Sequence, residues 1–280
     1  MSRFADGTIG KVLLRKYQPV HVDNRMRGEG DVIAARADFA ARKSMNLFNL
    51  LQSRYRWMNR YIDSESLGAD IGCGAGLSEK FIHCKRLFLT DYAWQDFLDV
   101  AGVDALRLPF REGSLNFLIL TNVIHHLPYP LRFFQEARRV LASGGVILIH
   151  EVHASLLFRC ILRLMRHEGY SFDINPFAED FVCTRPDDPW AGNNALPRVL
   201  FQDWKRFFEE SPGWELLLDE KCECLSFLNS GGVTAKTVYV PLPRVLLSAV
   251  DWIDTAAVRL APDLLALGRR IALRKKEVVL

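Results

Sequence analysis

From residue 32 to about 62 the apolar positions Leu47, Leu51, Tyr55, Met58 and Ile62 recur at steps of four and three, which is one face of a helix. The pattern then changes. Short unbroken apolar runs at 86–90, ending in Asp91, and at 116–121 and 146–151 are what strands buried on both faces require. Between the runs, 77–83 can open a first helix, and 130–141 carries Leu131, Phe134, Ala137 and Leu141 on one face, with Arg138 and Arg139 in its last turn and Ser143-Gly144-Gly145 ending it. Strands alternating with helices predict an α/β fold. Residues 1–30, with Pro19, Gly28 and Gly30, read as an irregular opening segment.

The second half is less regular. Residues 155–167 read as a helix, and 168–202, punctuated by Pro176, Pro186, Pro189 and Pro197, is too long for an ordinary connection and suits an active-site cover or substrate element. A sixth strand is expected within 214–227. For the seventh, 271–273 competes with 237–240. Leu246, Val250, Ile253, Ala257 and Leu260 form a helical stripe that Pro262 interrupts and that Leu264 and Leu267 continue. That surface is expected to meet its own domain, a second copy or a membrane, its mixed charges favouring packing or dimerisation.

Of the 280 residues, 49% are hydrophobic and 25% charged, so the chain can bury a substantial core. A net charge of +3 gives no general electrostatic grip on nucleic acid, and nucleic acid is expected not to be a partner. Arg42, Lys43, Arg54, Arg56 and Arg60 along the first helical stretch read as a solvated face, with an anionic-substrate patch as the rival. The six cysteines do not form a disulfide framework, and alternation puts Cys222 and Cys224 on one buried face as packing groups instead of metal ligands. The first residues lack an apolar leader, and no run reaches the roughly 18 residues of a membrane span, so a cytoplasmic location is expected.

The chemistry begins at residues 69–76, Ala-Asp-Ile-Gly-Cys-Gly-Ala-Gly. An apolar strand runs into a turn whose glycines supply positive φ and let the backbone approach a ligand. Its spacing is D-x-G-x-G-x-G. Asp70 argues against a pyrophosphate, which would be repelled by a carboxylate, and for a cationic amino-acid ligand. Asp91, nineteen residues beyond Gly72, can accept from two adjacent ribose hydroxyls or cap a helix over 93–100.

At these residues the chain resembles motif I of the class I S-adenosylmethionine (SAM) dependent methyltransferases. The resemblance extends through Asp104-Ala105-Leu106-Arg107-Leu108-Pro109-Phe110 to Arg139-Val140-Leu141-Ala142-Ser143-Gly144-Gly145, where Ser143 stands at the family's usual proline. It is close over 66–151. It implies a Rossmann-like, seven-stranded, mostly parallel sheet with helices on both faces and a last strand returning antiparallel. It also implies SAM as cofactor, held by Asp70, Gly72, Gly74 and Gly76, by Asp91 and Tyr92 at the ribose, by Asp104 and Ala105 at the adenine, and by Asn122. The expected organisation is an N-terminal helical cover, 1–63, on a methyltransferase domain, 64–280, with substrate-side insertions at about 168–202 and 231–268.

Methyl transfer to a hydroxyl needs a general base, and histidine titrates nearest to working pH. His125 and His126 follow the fourth strand on the rim where this fold places its acceptor; Glu151 and His153 follow the fifth. Asn193 and Asn194 could orient a polar acceptor or simply make a turn. No metal is expected. The chain lacks N-P-P-Y after the fourth strand, a Pro-Cys nucleophile and a paired-glutamate site, and this leaves methylation at an oxygen of a small-molecule or saccharide-like acceptor. Two rivals share the fold: a membrane-peripheral methyltransferase of a lipid or quinone, and a SAM-binding protein without catalysis.

Overall fold

The computed structural model describes residues 15–19, 32–166, 168–188, 190–233 and 236–277. Most of the opening segment, and Pro189, lie outside the described residues. In chain order the strands are β1 (Lys16–Tyr17), β2 (Leu67–Ile71), β3 (Arg86–Asp91), β4 (Val100–Ala101), β5 (Leu115–Thr121), β6 (Leu141–Val152), β7 (Tyr170–Ser171), β8 (Trp214–Cys222) and β9 (Gly268–Lys275). The helices are α1 (Val32–Ala40), α2 (Met45–Arg56), α3 (Pro130–Val140), α4 (Leu156–Met165), α5 (Leu196–Leu200), α6 (Trp204–Glu210), α7 (Leu225–Leu228), α8 (Arg244–Leu260) and α9 (Pro262–Leu265).

Among the described residues seven strands form the main sheet in the order β4-β3-β2-β5-β6-β9-β8, while β1 and β7 pair separately. The first five run parallel. β9 is antiparallel to both its neighbours, β6 and β8. Successive side chains of a strand point to opposite faces, and the central strands use both. Leu118, Leu120, Ile147 and Ile149 face α3, α5 and α6, joining Phe133, Phe134, Leu200 and Phe207. Phe117, Ile119, Val146 and Leu148 face the N-terminal helices, joining Leu47, Leu51 and Tyr55. The apolar runs had no alternation because neither face meets water.

Several expectations need correction. The first helical stretch is broken between Ala40 and Met45, where Arg42 adopts φ 52° and Ser44 caps α2 by accepting from Leu47 N. Arg54 belongs to no solvated face: it is buried against Glu223. Residues 77–83 form only the 3-10 turn Leu77–Lys80, and 93–100 forms no helix, its end being strand β4. The seventh strand includes 271–273, and 237–240 is not a strand.

The stripe on α8 is turned away from the position expected for packing. Leu247, Asp254 and Val258 are buried, whereas Leu246, Ile253 and Leu260 are exposed. The cause is polar. Asp254 accepts from the backbone N–H groups of Cys224 and Leu225 at the start of α7, and those donors would otherwise be left orphaned.

Candidate active site

The strand order reverses direction between β2 and β5, and in open α/β sheets ligands bind outside the carboxyl ends of strands at such a point. Every expected cofactor residue is on a strand end or loop at that edge. Gly72, Gly74 and Gly76 all have positive φ, 67°, 53° and 63°. They differ in surroundings: a Cβ on Gly72 would lie 2.8 Å from Val123 Cγ2, whereas one on Gly74 would meet nothing within 4 Å among the described residues. Gly74 therefore presents bare backbone to an open cradle. Cys73 N donates to Thr90 O, tying the turn to β3.

Asp70 is buried, and Ser78 Oγ donates to its Oδ2. Its Oδ1 is buried with no hydrogen-bond partner among the described residues. Burial pushes the carboxyl up to about 7, with the Ser78 hydroxyl opposing and the charge of Asp91 adding. Such an oxygen fits a cationic donor, as the ammonium of SAM would be.

Asp91 does two jobs. Its Oδ2 accepts from Gly74 N at 2.9 Å and its Oδ1 from Ala93 N at 3.0 Å. The capping geometry is therefore present even though no helix follows. Each carboxylate oxygen can accept again, so hydroxyl recognition is compatible with it. Burial raises its pKa against these N–H groups. Asp104 is exposed and accepts from Leu106 N, beside the buried Ala105; Tyr92 is exposed. Asn122 takes φ 58°, a conformation asparagine tolerates, and its N–H donates to His150 O. The residues present fit SAM.

Two contributors lacked any sequence signal strong enough to single them out. Arg36 of α1 donates to Ala75 O and Gly76 O and pairs with Glu79 at 2.7 Å, so the N-terminal cover braces the glycine turn. Ser78 lies eight residues past Asp70 and engages its carboxylate.

On the acceptor side, His125 and His126 form the last two residues of a 3-10 turn, Ile124–His126, directly after β5. His125 Nδ1–H donates to Glu151 Oε2 at 2.8 Å. Glu151 is fully buried and also accepts from Ile124 N and Val152 N, which fixes the carboxylate and through it the imidazole. His125 Nε2 lies 3.8 Å from Glu168 Oε2. Burial opposes the imidazolium, yet the charge and hydrogen bond of Glu151, with Glu168 beyond, raise the His125 pKa above its usual value. His126 is half-buried, its ring centroid 4.1 Å from that of His125.

His153 does not join this pair. It is buried, with Asp263 at 3.6 Å, and burial together with Arg198, Arg269 and Lys221 pushes it down to about 3. Asn193 and Asn194 hold the cover in place: Asn193 N donates to His125 O, and Asn194 Nδ2 donates to Glu168 Oε2. A Cβ on Gly192 would sit 3.0 Å from both Glu168 Oε2 and His125 Cδ2, so a larger residue there would have to displace these side chains slightly. Glu168, a neighbour of the pair, comes from 43 positions further along the chain than His125, and nothing in the sequence links them.

His125, His126 and Glu168 offer ligand atoms within 4.8 Å of one another, as do His150, Cys222 and Glu223. In the second group the Arg54 guanidinium already occupies Glu223, at 2.7 Å.

Residues 69–149 match the family described as "Methyltransferase domain". Together with the sheet order and the acid and glycine positions, this identifies a class I SAM-dependent methyltransferase domain over that segment, residues 69–149. SAM is the cofactor of that family. Over 95 residues the chain is 36% identical to "Probable tRNA methyltransferase 9B" of Mus musculus, covering 30% of this chain and 21% of the relative. A relative from Encephalitozoon cuniculi, also bearing a methyltransferase name, is 33% identical over 106 residues, covering 34% of this chain and 49% of its own. The chain thus spans between a fifth and a half of the length of these relatives. A crystal structure of a SAM-dependent methyltransferase from Archaeoglobus fulgidus superposes with a TM-score of 0.47 at 16% identity, covering 81% of this chain and 93% of that one.

These matches correct one expectation. Nucleic acid is not expected as a partner from modest net charge and absent motifs, but a relative matched over 95 residues is named for tRNA. Net charge reports a whole-surface average and says nothing of a local basic site. No helix among the described residues is long and apolar enough to cross a membrane.

Proposed function

We propose that the protein is a SAM-dependent methyltransferase acting on an oxygen of its acceptor, with the His125–Glu151 pair removing the proton. The observation that carries the reading is the carboxylate-oriented imidazole on the rim next to the cofactor edge, 2.8 Å from a fixed, fully buried glutamate. SAM supplies a methyl group already activated by sulfonium charge. Asp70 holds its ammonium, the backbone at Gly74 lets the ligand approach, and Asp91 and Asp104 accept from ribose and adenine. Glu151 keeps the Nδ1–H tautomer of His125, which leaves Nε2 as the atom that takes the acceptor proton. Holding methyl and oxygen in line contributes on the order of 7 kcal/mol or more at best.

The experiment is incubation with methyl-labelled SAM and separate fractions of tRNA, saccharides and small polar metabolites. Label on an oxygen, lost in His125→Ala while SAM still binds, supports the reading. Label only on nitrogen or carbon, or full activity in His125→Ala, removes the oxygen-base assignment.

A further inference from the structure

A cavity of about 420 Å3 opens between α4, the segment after β7, and α5 and α6. Four arginines line it, Arg15, Arg159, Arg198 and Arg206, together with the rings of Phe172 and Phe177. None of the residues given to cofactor or proton transfer above is among its walls.

Among the described residues its walls carry these four guanidiniums and no carboxylate. Arg15 pairs with Asp173 at 2.8 Å, and Arg198 lies 3.2 Å from Asp263. The Arg206 guanidinium instead donates to the neutral amide oxygen of Asn175 and pairs with no carboxylate among the described residues, while its backbone N–H donates to Asp203 Oδ1. Arg159 donates to Ser155 O, and burial with the positive charge of Arg198 lowers its pKa. Aromatic faces hold three of the guanidiniums: Arg206 is 4.4 Å from the Phe177 centroid, and Arg159 and Arg198 are 5.3 Å and 5.9 Å from that of Phe172. Contact with a ring face leaves the N–H edges of the guanidinium for an acceptor, and that fork matches two oxygens of a phosphate. Guanidiniums gathered around one space repel each other, and a phosphate offsets this better than a single carboxylate.

The cavity is tied to the proton-transfer pair through the chain. Phe172 is four residues past Glu168, a span of at most about 14 Å. Arg198 donates to Ala154 O, three residues past Glu151.

We infer that this arginine cavity holds a phosphate group of the methyl acceptor, as a monoester or a diester, and so positions the acceptor against His125. The inference rests on the methyltransferase reading, and its test separates the two. Inorganic pyrophosphate titrated calorimetrically into the full chain binds saturably, and the double variant Arg159→Gln/Arg206→Gln binds it at least about tenfold more weakly with SAM affinity unchanged. Bulk tRNA displaced by pyrophosphate identifies the diester source; glycerol phosphate binding, with no tRNA bound, identifies a small monoester. Failure of pyrophosphate to saturate the wild type, or equal affinity in the double variant, while SAM binds both, overturns this inference alone. Failure of the wild type to bind SAM overturns the methyltransferase reading and the acceptor assignment with it.

Discussion

Arg54 and Glu223, 169 positions apart, form a two-pronged ion pair sealed from water, with Nε and Nη2 at 2.9 and 2.7 Å from the two carboxylate oxygens. The pair joins the N-terminal cover to the end of the sixth strand of the sheet. His150 adds a third member, its Nε2 3.2 Å from the same carboxylate. Removing one partner strands a buried charge, so Arg54→Ala should cost about 3–5 kcal/mol in urea unfolding. A loss below 1 kcal/mol would show that the cover is not anchored there.

Acid should weaken the fold through His150 and His153. Burial lowers both pKa values, that of His153 to about 3. A histidine depressed in the folded state contributes stability that is intact above its unfolded value of about 6.5 and is lost as pH falls below it. The thermal midpoint should therefore fall from pH 6.5 towards 3, and His153→Phe should flatten part of that slope. Glu223 acts later: burial pushes it up, but Arg54 and then His150 hold it below the usual carboxylate range, so its contribution disappears only under stronger acid.

SAM affinity should rise with pH. The free Asp70 carboxyl titrates at about 7, and a bound ammonium requires the carboxylate. Affinity should gain up to about tenfold per pH unit below 7 and level off above it. Asp70→Asn should bind weakly and lose that dependence, as isothermal calorimetry at several pH values would show.

Gly74→Ala probes the cradle directly. Its Cβ meets no atom of the described residues within 4 Å, so the fold loses only the cost of a left-handed alanine, about 1–2 kcal/mol. SAM binding should weaken beyond that loss because the methyl group occupies ligand space. Asp91→Ala should weaken it as well, by removing both the Gly74 tether and the hydroxyl acceptor; unchanged affinity would take Asp91 out of the site.

Glu151→Gln should lower kcat by about a hundredfold or more with SAM affinity retained. Because Glu151 raises the His125 pKa, the alkaline rise of the wild-type rate should move to lower pH in the variant. A rate loss with no displacement of the profile would leave Glu151 a packing role only.

The cofactor half was legible because its determinants are local. The acid, the glycines and the following strand sit within two dozen residues, and their geometry is enforced by backbone rules. The acceptor half was less legible because its contacts are long-range. Glu168 reaches His125 from the cover, Arg36 reaches the glycine turn from α1, and Arg54 is drawn inward by a partner beyond β8. On α8 too a long-range contact decides the orientation: one buried aspartate, answering distant N–H groups, leaves part of the apolar stripe facing outward.

The place of β9 bears on how the chain assembles during synthesis. The five strands β4-β3-β2-β5-β6 are complete once residue 152 has been made, and they already contain the cofactor edge. β8 is made next but touches the sheet only through β9, so it must wait without a strand partner for roughly fifty further residues. The chain should therefore close the β9-β8 edge of its sheet last, and a ribosome-stalled fragment ending before residue 268 should protect the cofactor half from protease while leaving 214–222 open to cleavage.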